Sequence, residues 1–396
     1  MRILVVGMSN SIHTARWLAQ LEGTGWEVHL FPSLELSLHA AIRNVHFHDL
    51  GFSLIAGRDA LAPEGSVTWT RFKSAQMASQ FLFKILDRRR PGWRERRLAR
   101  TIRSLQPDVV HSLEIQHAGY LTHDALLSLD GAKPRWMVSN WGSDLYLFGR
   151  FPEHQGRISQ VLRACDYYLC ECRRDIGLAV SLGLDRGKGL GLVPSAGGLD
   201  ITAVRSMHAG VTSQRRLILV KGYQNWAGRS LVALAALGMC ADALEGYRVA
   251  VYLASKEVEL AARLLAANSG LEVEIIPRCS HAQMLQWCGR ARICIGLSIS
   301  DGLPNSLTEA MALGAFPIQS CTACADEWIV DGVSGFIVPP EDPHRVAEAI
   351  QKAIADDELV DNAARENWKT VEARLSSVDV RDQVLTAYRR VMESVK

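Results

Sequence analysis

The most informative part of this sequence for fold and function is the stretch Asp301-Gly-Leu-Pro-Asn-Ser-Leu-Thr-Glu309-Ala-Met-Ala-Leu-Gly314. A turn with one carboxylate leads into a predicted helix that carries a second carboxylate, Glu309. Asn305 or Ser306 can cap the start of this helix, and Gly314 can end it. A helix start presents unpaired N–H groups and the positive end of the helix dipole, so it suits a phosphate. Two acceptor-only side chains beside such an anion site suit ribose and sugar hydroxyls, so the stretch predicts a nucleotide-sugar site.

The same spacing has a second interpretation. Ser306 and Glu309 stand three residues apart, as in a capping box, where Glu309 would bond back to the start of its own helix. The spacing alone leaves both interpretations open.

The residues after Gly314 favour the nucleotide-sugar interpretation. They comprise a predicted buried strand, Phe316-Pro-Ile-Gln-Ser320, then Glu327-Trp-Ile-Val-Asp-Gly-Val-Ser-Gly335, then Pro339-Pro-Glu-Asp-Pro343. Together with the opening stretch, they resemble the donor-binding half of the family 4 retaining glycosyltransferases. The hallmark of that family is Glu-x7-Glu, a helix of small residues, a strand with proline and a later glutamate. Here the first acid is Asp301, which keeps the charge but is shorter by one methylene.

Length and charge narrow the class of protein. A chain of 396 residues is too long for one ordinary core, which predicts two domains. Its 44 basic and 42 acidic residues give a net charge of only +2, which argues against a general nucleic-acid binder. The opening residues 1–7 lack the apolar length of a signal peptide, and no apolar run reaches the length of a membrane span. We therefore expect a soluble, cytoplasmic protein.

Apolar strand-like runs alternate with helical patterns in two blocks. The predicted strands are 1–7, 26–31, 108–112, 136–139 and 167–170 in the first block, and 216–220, 247–252, 271–276, 293–296 and 316–320 in the second. This alternation predicts an α/β fold of two doubly wound, Rossmann-like domains. The resemblance implies the GT-B architecture, in which two such domains face each other across a cleft.

The predicted domains follow from these blocks and the resemblance. Residues 1–205 form an N-terminal acceptor-binding domain, and residues 206–377 form a C-terminal nucleotide-sugar donor-binding domain. Residues 378–396 form a final helix, which in the family crosses back to the first domain.

Two cations after a strand of the second domain match the family's diphosphate-gripping segment. That segment reads Gly-Arg-x4-Lys-Gly in the family, and Lys221 and Arg229 are the corresponding charges here, with wider spacing. Positive side chains and backbone donors must neutralise the leaving diphosphate when no metal does so. The resemblance therefore gives Lys221, Arg229 and the sugar-facing Asp301 the catalytic roles.

The remaining donor contacts also follow from the resemblance. The turn residues Gly302 and Leu303 and the N–H groups of Asn305 and Ser306 would meet the donor and its diphosphate; Pro304 has no N–H to give. Glu309 would accept the ribose hydroxyls. The base would lie near Arg278, in the loop after a strand.

Candidate acceptor residues lie in two loops of the first domain. The loop Gly7-Met-Ser-Asn-Ser-Ile-His13 holds Ser11 and His13; in the family it approaches diphosphate and acceptor, while a core or capping histidine is the other interpretation of His13. Val138-Ser-Asn-Trp-Gly-Ser-Asp144 resembles the family segment Val-x-x-His-Gly-x-Asp, with Trp141 at the histidine position. Asp144 either binds the acceptor or caps a helix. For His111 and His117 we expect structural roles.

No cofactor and no metal are expected. The sequence has no Asp-x-Asp motif of the metal-dependent glycosyltransferase fold, which predicts a metal-independent reaction. Retention of configuration rests on the resemblance, and front-face attack with a diphosphate oxygen as base is our hypothesis for it.

The expected partners are a nucleotide-sugar donor and an acceptor. The acceptor is a glycan, a lipid-linked sugar or a small metabolite, and surface-polysaccharide synthesis is one setting for such a reaction.

The segment 71–103 is strongly basic, with eleven Arg or Lys residues against Asp87 and Glu95. Apolar stripes at Phe81, Leu82 and Ile85 and at Trp93, Leu98 and Ile102 flank a helix break at Pro91-Gly92. The segment has two interpretations. It is either a pair of solvated amphipathic helices, or a surface for anionic lipid or a phosphate-linked acceptor. The second interpretation would place the protein peripherally on the inner membrane face.

Two other functions fit the architecture. One is a nucleotide-sugar 2-epimerase, although the second-domain signatures of that class differ from the 301–309 segment. The other is a non-catalytic subunit that retains the GT-B fold, which the replacements at Trp141 and Asp301 keep open.

Overall fold

The computed structural model describes residues 1–34, 38–48, 85–86 and 88–393. The chain divides into two compact units. Unit 1 comprises Met1–Gly197 and Arg381–Lys396, and unit 2 comprises Gly198–Val380.

Unit 1 is built on a seven-stranded sheet among the described residues, in the order β3-β2-β1-β4-β5-β6-β7. Every neighbouring pair is parallel. The strands are β1 (Arg2–Gly7), β2 (Glu27–Pro32), β3 (His46–Phe47), β4 (Val109–Leu113), β5 (Arg135–Ser139), β6 (Tyr167–Cys170) and β7 (Gly189–Leu192). The helices are α1 (Ile12–Ala19), α2 (Trp93–Leu105), α3 (Tyr120–Leu127), α4 (Pro152–Ala164) and α5 (Arg173–Ser181).

Both faces of this sheet are buried, as a doubly wound parallel sheet requires. Alternate residues of β1 divide between two cores: Leu4 and Val6 pack on one face, while Ile3 and Val5 pack on the other. The continuous apolar run that predicted β1 therefore reflects burial on both sides.

Unit 2 repeats the design with a six-stranded parallel sheet, in the order β10-β9-β8-β11-β12-β13. The strands are β8 (Leu217–Lys221), β9 (Arg248–Tyr252), β10 (Glu272–Ile275), β11 (Ile293–Gly296), β12 (Phe316–Ser320) and β13 (Phe336–Val338). The helices are α6 (Ile201–Arg205), α7 (Ser230–Met239), α8 (Lys256–Ser269), α9 (His281–Arg290), α10 (Asn305–Ala312), α11 (Pro343–Ala355) and α12 (Asp357–Arg374). The doubly wound α/β class is confirmed, and the strand predicted at 316–320 has those bounds.

The division between the units falls after Gly197, whereas the sequence analysis placed it after residue 205. The Leu199 N–H donates to the Leu375 carbonyl over 2.7 Å, and the Ser377 N–H donates to the Leu199 carbonyl over 2.8 Å. These bonds fasten the residues after Gly198 to unit 2.

The last helix, α13 (Ser377–Glu393), packs into unit 1 from Arg381 onward. The Tyr388 hydroxyl accepts from Trp17 Nε1 over 3.1 Å and lies 2.7 Å from His111 Nδ1. Burial lowers the pKa of His111 to about 3, so this histidine is neutral. Such an environment fits the structural role expected of His111.

The basic segment is described only in part. Phe81 and Leu82, which formed most of its first predicted apolar stripe, lie outside the described residues. Helix α2 begins after Gly92, whose φ of 73° belongs to the left-handed region, and it buries Leu98 and Ile102. Among the described residues, no helix has the length and apolar character to cross a membrane.

Candidate functional site

The predicted donor residues gather where the strand order of unit 2 reverses. From β8 the chain builds outward through β9 and β10, then returns to add β11, β12 and β13 on the other side. Ligands of open α/β sheets bind outside the carboxyl ends of the strands at such a reversal. Lys221 ends β8, and the segment from 297 to 309 follows β11, so both stand at this point.

The loop 222–229 is fastened to the segment after β11. The Arg229 N–H donates to the Leu297 carbonyl over 3.0 Å, and the Ile299 N–H donates to the Ala227 carbonyl over 2.9 Å. A Cβ at Gly228 would collide with the Tyr223 carbonyl, so the loop needs glycine there. The loop therefore has a fixed shape beside Asp301.

The two predicted cations have different surroundings. Arg229 Nε pairs with Glu341 Oε1 over 3.0 Å, and its Nη1 donates to the Gly228 carbonyl over 3.0 Å. The Lys221 ammonium lies 5.5 Å from the centre of the Tyr223 ring, and no described carboxylate comes within ion-pair distance of it. Arg229 thus holds the loop together, whereas the Lys221 ammonium has no carboxylate partner among the described residues.

Helix α10 begins differently from the expectation that Asn305 or Ser306 caps it. Pro304 is the N-cap residue, and Asn305 and Ser306 are the first two helical residues. Proline fixes φ near −65° and directs the chain into the helix without a capping side chain. The N–H groups of Asn305 and Ser306 donate to no acceptor among the described residues, so they are free to bind an anion.

The end of α10 follows the prediction. Gly314 has a φ of 73°, and the Ala315 N–H donates to the Ala310 carbonyl over 2.9 Å. The Gly314 N–H donates to the Met311 carbonyl over 3.3 Å, which completes a Schellman motif. This glycine terminates the helix, as the sequence analysis expected.

Glu309 does not form a capping box, because no side chain accepts a capping hydrogen bond from the N–H groups at the start of α10. Its Oε1 instead lies 2.7 Å from His281 Nε2, and its side chain is only 10% exposed. Tyr252 flanks both Glu309 and Ser306. The carboxylate is thus held by one oxygen, and the other remains an acceptor for a ligand.

His281 was missed by the sequence analysis. It is the first residue of α9, and a capping box between Ser280 and Gln283 fixes the start of that helix. Arg278 lies three residues earlier, exposed in the loop after β10 where we expected the base to bind. The one sequence feature that could have pointed to His281 is its position, because it follows the same strand, β10, as Arg278.

Asp301 lies in the turn that precedes α10. Its Oδ1 accepts from the Gly302 N–H over 2.9 Å, and the side chain is half-buried. The Gly302 carbonyl accepts from the Cys324 N–H over 2.9 Å, and Leu303 is buried. The structure therefore brings Asp301, Gly302 and Leu303 into one turn beside the free N–H groups of α10.

In unit 1 the predicted acceptor residues form a second group. Ser11 caps α1 by accepting from the His13 N–H over 3.1 Å. The His13 ring lies 5.5 Å from the Trp141 ring, centre to centre. The Trp141 indole N–H is buried and meets no acceptor among the described residues, which makes it a candidate donor to a ligand.

Asp144 is positioned as a capping residue. It is buried, and its Oδ2 accepts from the N–H groups of Trp141 and Ile115, each over 2.9 Å. These bonds connect the loop after β5 to the turn after β4, which favours the capping interpretation.

Glu114 is a further candidate that the sequence analysis did not name. It follows β4 with a φ of 79°, a strained conformation for a residue other than glycine. Its carboxylate accepts from the His117 N–H over 2.9 Å and from the Ala118 N–H. Burial raises the pKa of Glu114 to about 7, and its backbone donors oppose that rise. The sequence feature that could have pointed to Glu114 is its position directly after a buried strand.

Comparison with known protein families gives two matches. Residues 238–370 match the model described as glycosyl transferases group 1, and residues 94–166 match the model described as glycosyl transferase 4-like. The two matches lie in different units and together span just over half of the chain.

The chain belongs to the group 1 glycosyltransferases.

A curated relative of this group 1 glycosyltransferase is the D-inositol 3-phosphate glycosyltransferase of a Nocardioides strain. The two are 26% identical over 132 residues, which cover 33% of this chain and 28% of the relative. The corresponding protein of Catenulispora acidiphila is 28% identical over 131 residues, or 33% of this chain and 31% of the relative. The match thus spans less than a third of either relative.

Solved structures establish the fold. Sucrose-phosphate synthase from Thermosynechococcus elongatus superposes with a TM-score of 0.71 at 14% identity, covering 100% of both chains. HepE from Anabaena, solved with UDP, gives a TM-score of 0.67 at 13% identity over 98% of this chain and 100% of HepE. The predicted GT-B fold is confirmed.

Proposed function

We propose that this protein is a retaining glycosyltransferase that moves a sugar from a nucleoside-diphosphate sugar to an acceptor hydroxyl. The observation that carries the proposal is the Glu309 carboxylate, held by His281 beside two free helix N–H groups at the strand reversal of unit 2. Ribose hydroxyls and a diphosphate need these two kinds of group side by side.

The proposed chemistry begins with departure of the nucleoside diphosphate. As the anomeric C–O bond breaks, negative charge grows on the leaving diphosphate. The Lys221 ammonium and the N–H groups of Asn305 and Ser306 stabilise that charge from fixed positions. Asp301 orients the sugar, and Arg229 maintains the shape of the loop that follows Lys221.

Retention follows from front-face attack in this proposal. The acceptor hydroxyl attacks the face that the diphosphate leaves, and a diphosphate oxygen takes the hydroxyl proton. Protein cations and helix N–H groups supply the positive charge, so the reaction proceeds without a divalent metal.

We assign acceptor binding to unit 1, where the unpaired Trp141 indole N–H, His13 and Ser11 come together. The acceptor classes are a glycan, a lipid-linked sugar or a small metabolite. The inositol phosphate named for the two curated relatives is one small acceptor to test, and HepE, solved with UDP-glucose, makes that donor the first to try.

The proposal predicts slow hydrolysis of a nucleotide sugar when no acceptor is present. Purified protein is incubated with a panel of nucleotide sugars that includes UDP-glucose, and products are separated by chromatography. We expect free sugar and nucleoside diphosphate at the same rate with and without a chelator. A sugar isomerised at C2 would instead indicate an epimerase, and no turnover of any donor would indicate a non-catalytic subunit. Activity that needs added magnesium or manganese would contradict the metal-free step.

A second prediction concerns the basic segment. Arg88, Arg89 and Arg90 are exposed, and each basic residue near an anionic surface contributes about 1 kcal/mol. Replacing all three with glutamine is expected to abolish sedimentation with anionic vesicles and to raise the KM for a lipid-phosphate acceptor. Donor hydrolysis should be unchanged, and salt should mimic the variant because exposed charges are screened within about 10 Å at 0.1 M. If the triple variant transfers sugar normally at low salt, the segment 71–103 is only a solvated surface. A small acceptor would then be the better hypothesis.

A further inference from the structure

Strands β2 and β3, at one edge of the unit 1 sheet, and the residues directly after β3 place four side chains of metal-binding types on one face of the sheet. Glu27 and His29 are two residues apart in β2, and successive side chains of a strand point to opposite faces, so these two share a face. His29 lies opposite His46 in the parallel register of β2 and β3. His48 continues that face, since its N–H donates to the Leu30 carbonyl over 2.9 Å.

The four side chains come close together. His29 Nε2 lies 3.0 Å from Glu27 Oε1, and His29 Nδ1 lies 2.9 Å from His48 Nε2. The rings of His29 and His46 are stacked, with centres 4.7 Å apart and planes inclined by 24°. One ligand atom each from Glu27, His29 and His46 falls within 4.8 Å of the other two.

We propose that Glu27, His29 and His46 bind a divalent transition-metal ion, with zinc as the occupant that the ligand set favours. Imidazole nitrogen and carboxylate oxygen bind zinc at about 2.0–2.2 Å, which puts tetrahedral ligand atoms about 3.3 Å apart. The observed 3.0 Å between Glu27 and His29 is already close to this spacing. Three protein ligands leave a fourth position for water.

His48 is a positioning residue for this site. A histidine that binds metal through one ring nitrogen nearly always donates its other N–H to a neighbour. With the metal on His29 Nε2, the Nδ1–H of His29 donates to His48 Nε2, which fixes both the tautomer and the ring orientation.

The three proposed ligands differ in their exposure to solvent and in their charged neighbours. His29 is buried with 6% exposure, whereas Glu27 and His46 are exposed, so an ion can enter from solvent. Arg2 Nε holds Glu27 Oε2 over 2.8 Å and leaves Oε1 directed to His29. The ion would join β3, a two-residue strand, to β2 by a link stronger than their few hydrogen bonds.

Zinc titration of the chelator-stripped full chain tests this site independently of glycosyl transfer. Calorimetry is expected to show binding of one zinc ion, and X-ray absorption should report nitrogen and oxygen ligands without sulfur. His46→Ala removes an exposed ligand and should abolish this binding. His48→Ala should weaken it by about 10–100-fold, the range measured for such supporting residues.

A matched control is His344→Ala, which removes an exposed histidine of unit 2 and should bind zinc like the unaltered protein. Circular dichroism of each variant establishes that it is folded, and Glu27→Gln provides a second exposed ligand change. The proposal is overturned if the stripped protein binds no zinc, if sulfur ligates the ion, or if folded His46→Ala and Glu27→Gln bind zinc unchanged.

Discussion

Replacing Lys221 with alanine is expected to lower kcat by about 10²–10³, with a smaller change in donor affinity. Charge on the diphosphate grows as the sugar leaves, so a fixed cation stabilises the transition state more than the bound donor. Removing one such preorganised partner costs about 3 kcal/mol. Lys221 is suited to this role because it ends β8 at the strand reversal and no described carboxylate pairs with it. Steady-state transfer kinetics and donor titration separate the two effects.

Two further variants make this test specific. Lys352→Ala removes an exposed lysine of α11 and should leave kcat unchanged. Arg229→Ala should lower the thermal unfolding temperature, because Arg229 Nη1 donates to carbonyl groups of the loop 222–229. If Lys221→Ala transfers sugar at the normal rate, the diphosphate is stabilised by other groups and our assignment is wrong.

Replacing Glu309 with glutamine is expected to weaken binding of the free nucleoside diphosphate by about 10²-fold. The change keeps the size of the side chain but exchanges a charged acceptor for an amide. Hydrogen bonds to a charged group contribute about 1.5–3 kcal/mol each, and a ribose offers two hydroxyls. Calorimetric titration of the nucleoside diphosphate measures the loss.

The control for this variant is Glu372→Gln, which changes an exposed glutamate of α12 and should bind the nucleotide normally. Thermal unfolding of both variants identifies any loss of folded protein. Unchanged nucleotide affinity in folded Glu309→Gln would mean that Glu309 serves only its contact with His281.

The features predicted correctly are those that local sequence determines. A parallel strand buried on both faces needs a continuous apolar run, which is why β1 and β12 could be located closely. Gly314 could be identified as a helix end because a left-handed residue without strain is usually glycine. The two blocks of alternating strands and helices then led to the doubly wound fold.

The features that were missed depend on contacts between distant residues. His281 and Glu309 are 28 positions apart, and only the packing of α9 beside α10 brings them together. The N-cap at Pro304 was missed because asparagine and serine are stronger capping residues by preference, while the turn before α10 places proline there. Glu114 acquires its raised pKa from burial, which no single residue reveals.

A crystal structure of the protein with a bound nucleoside diphosphate would show where the donor binds. We predict that the ribose hydroxyls lie within hydrogen-bond distance of Glu309. The diphosphate should meet the N–H groups of Asn305 and Ser306 and the Lys221 ammonium. A nucleotide bound elsewhere, with Glu309 still contacting only His281, would contradict the proposed donor site.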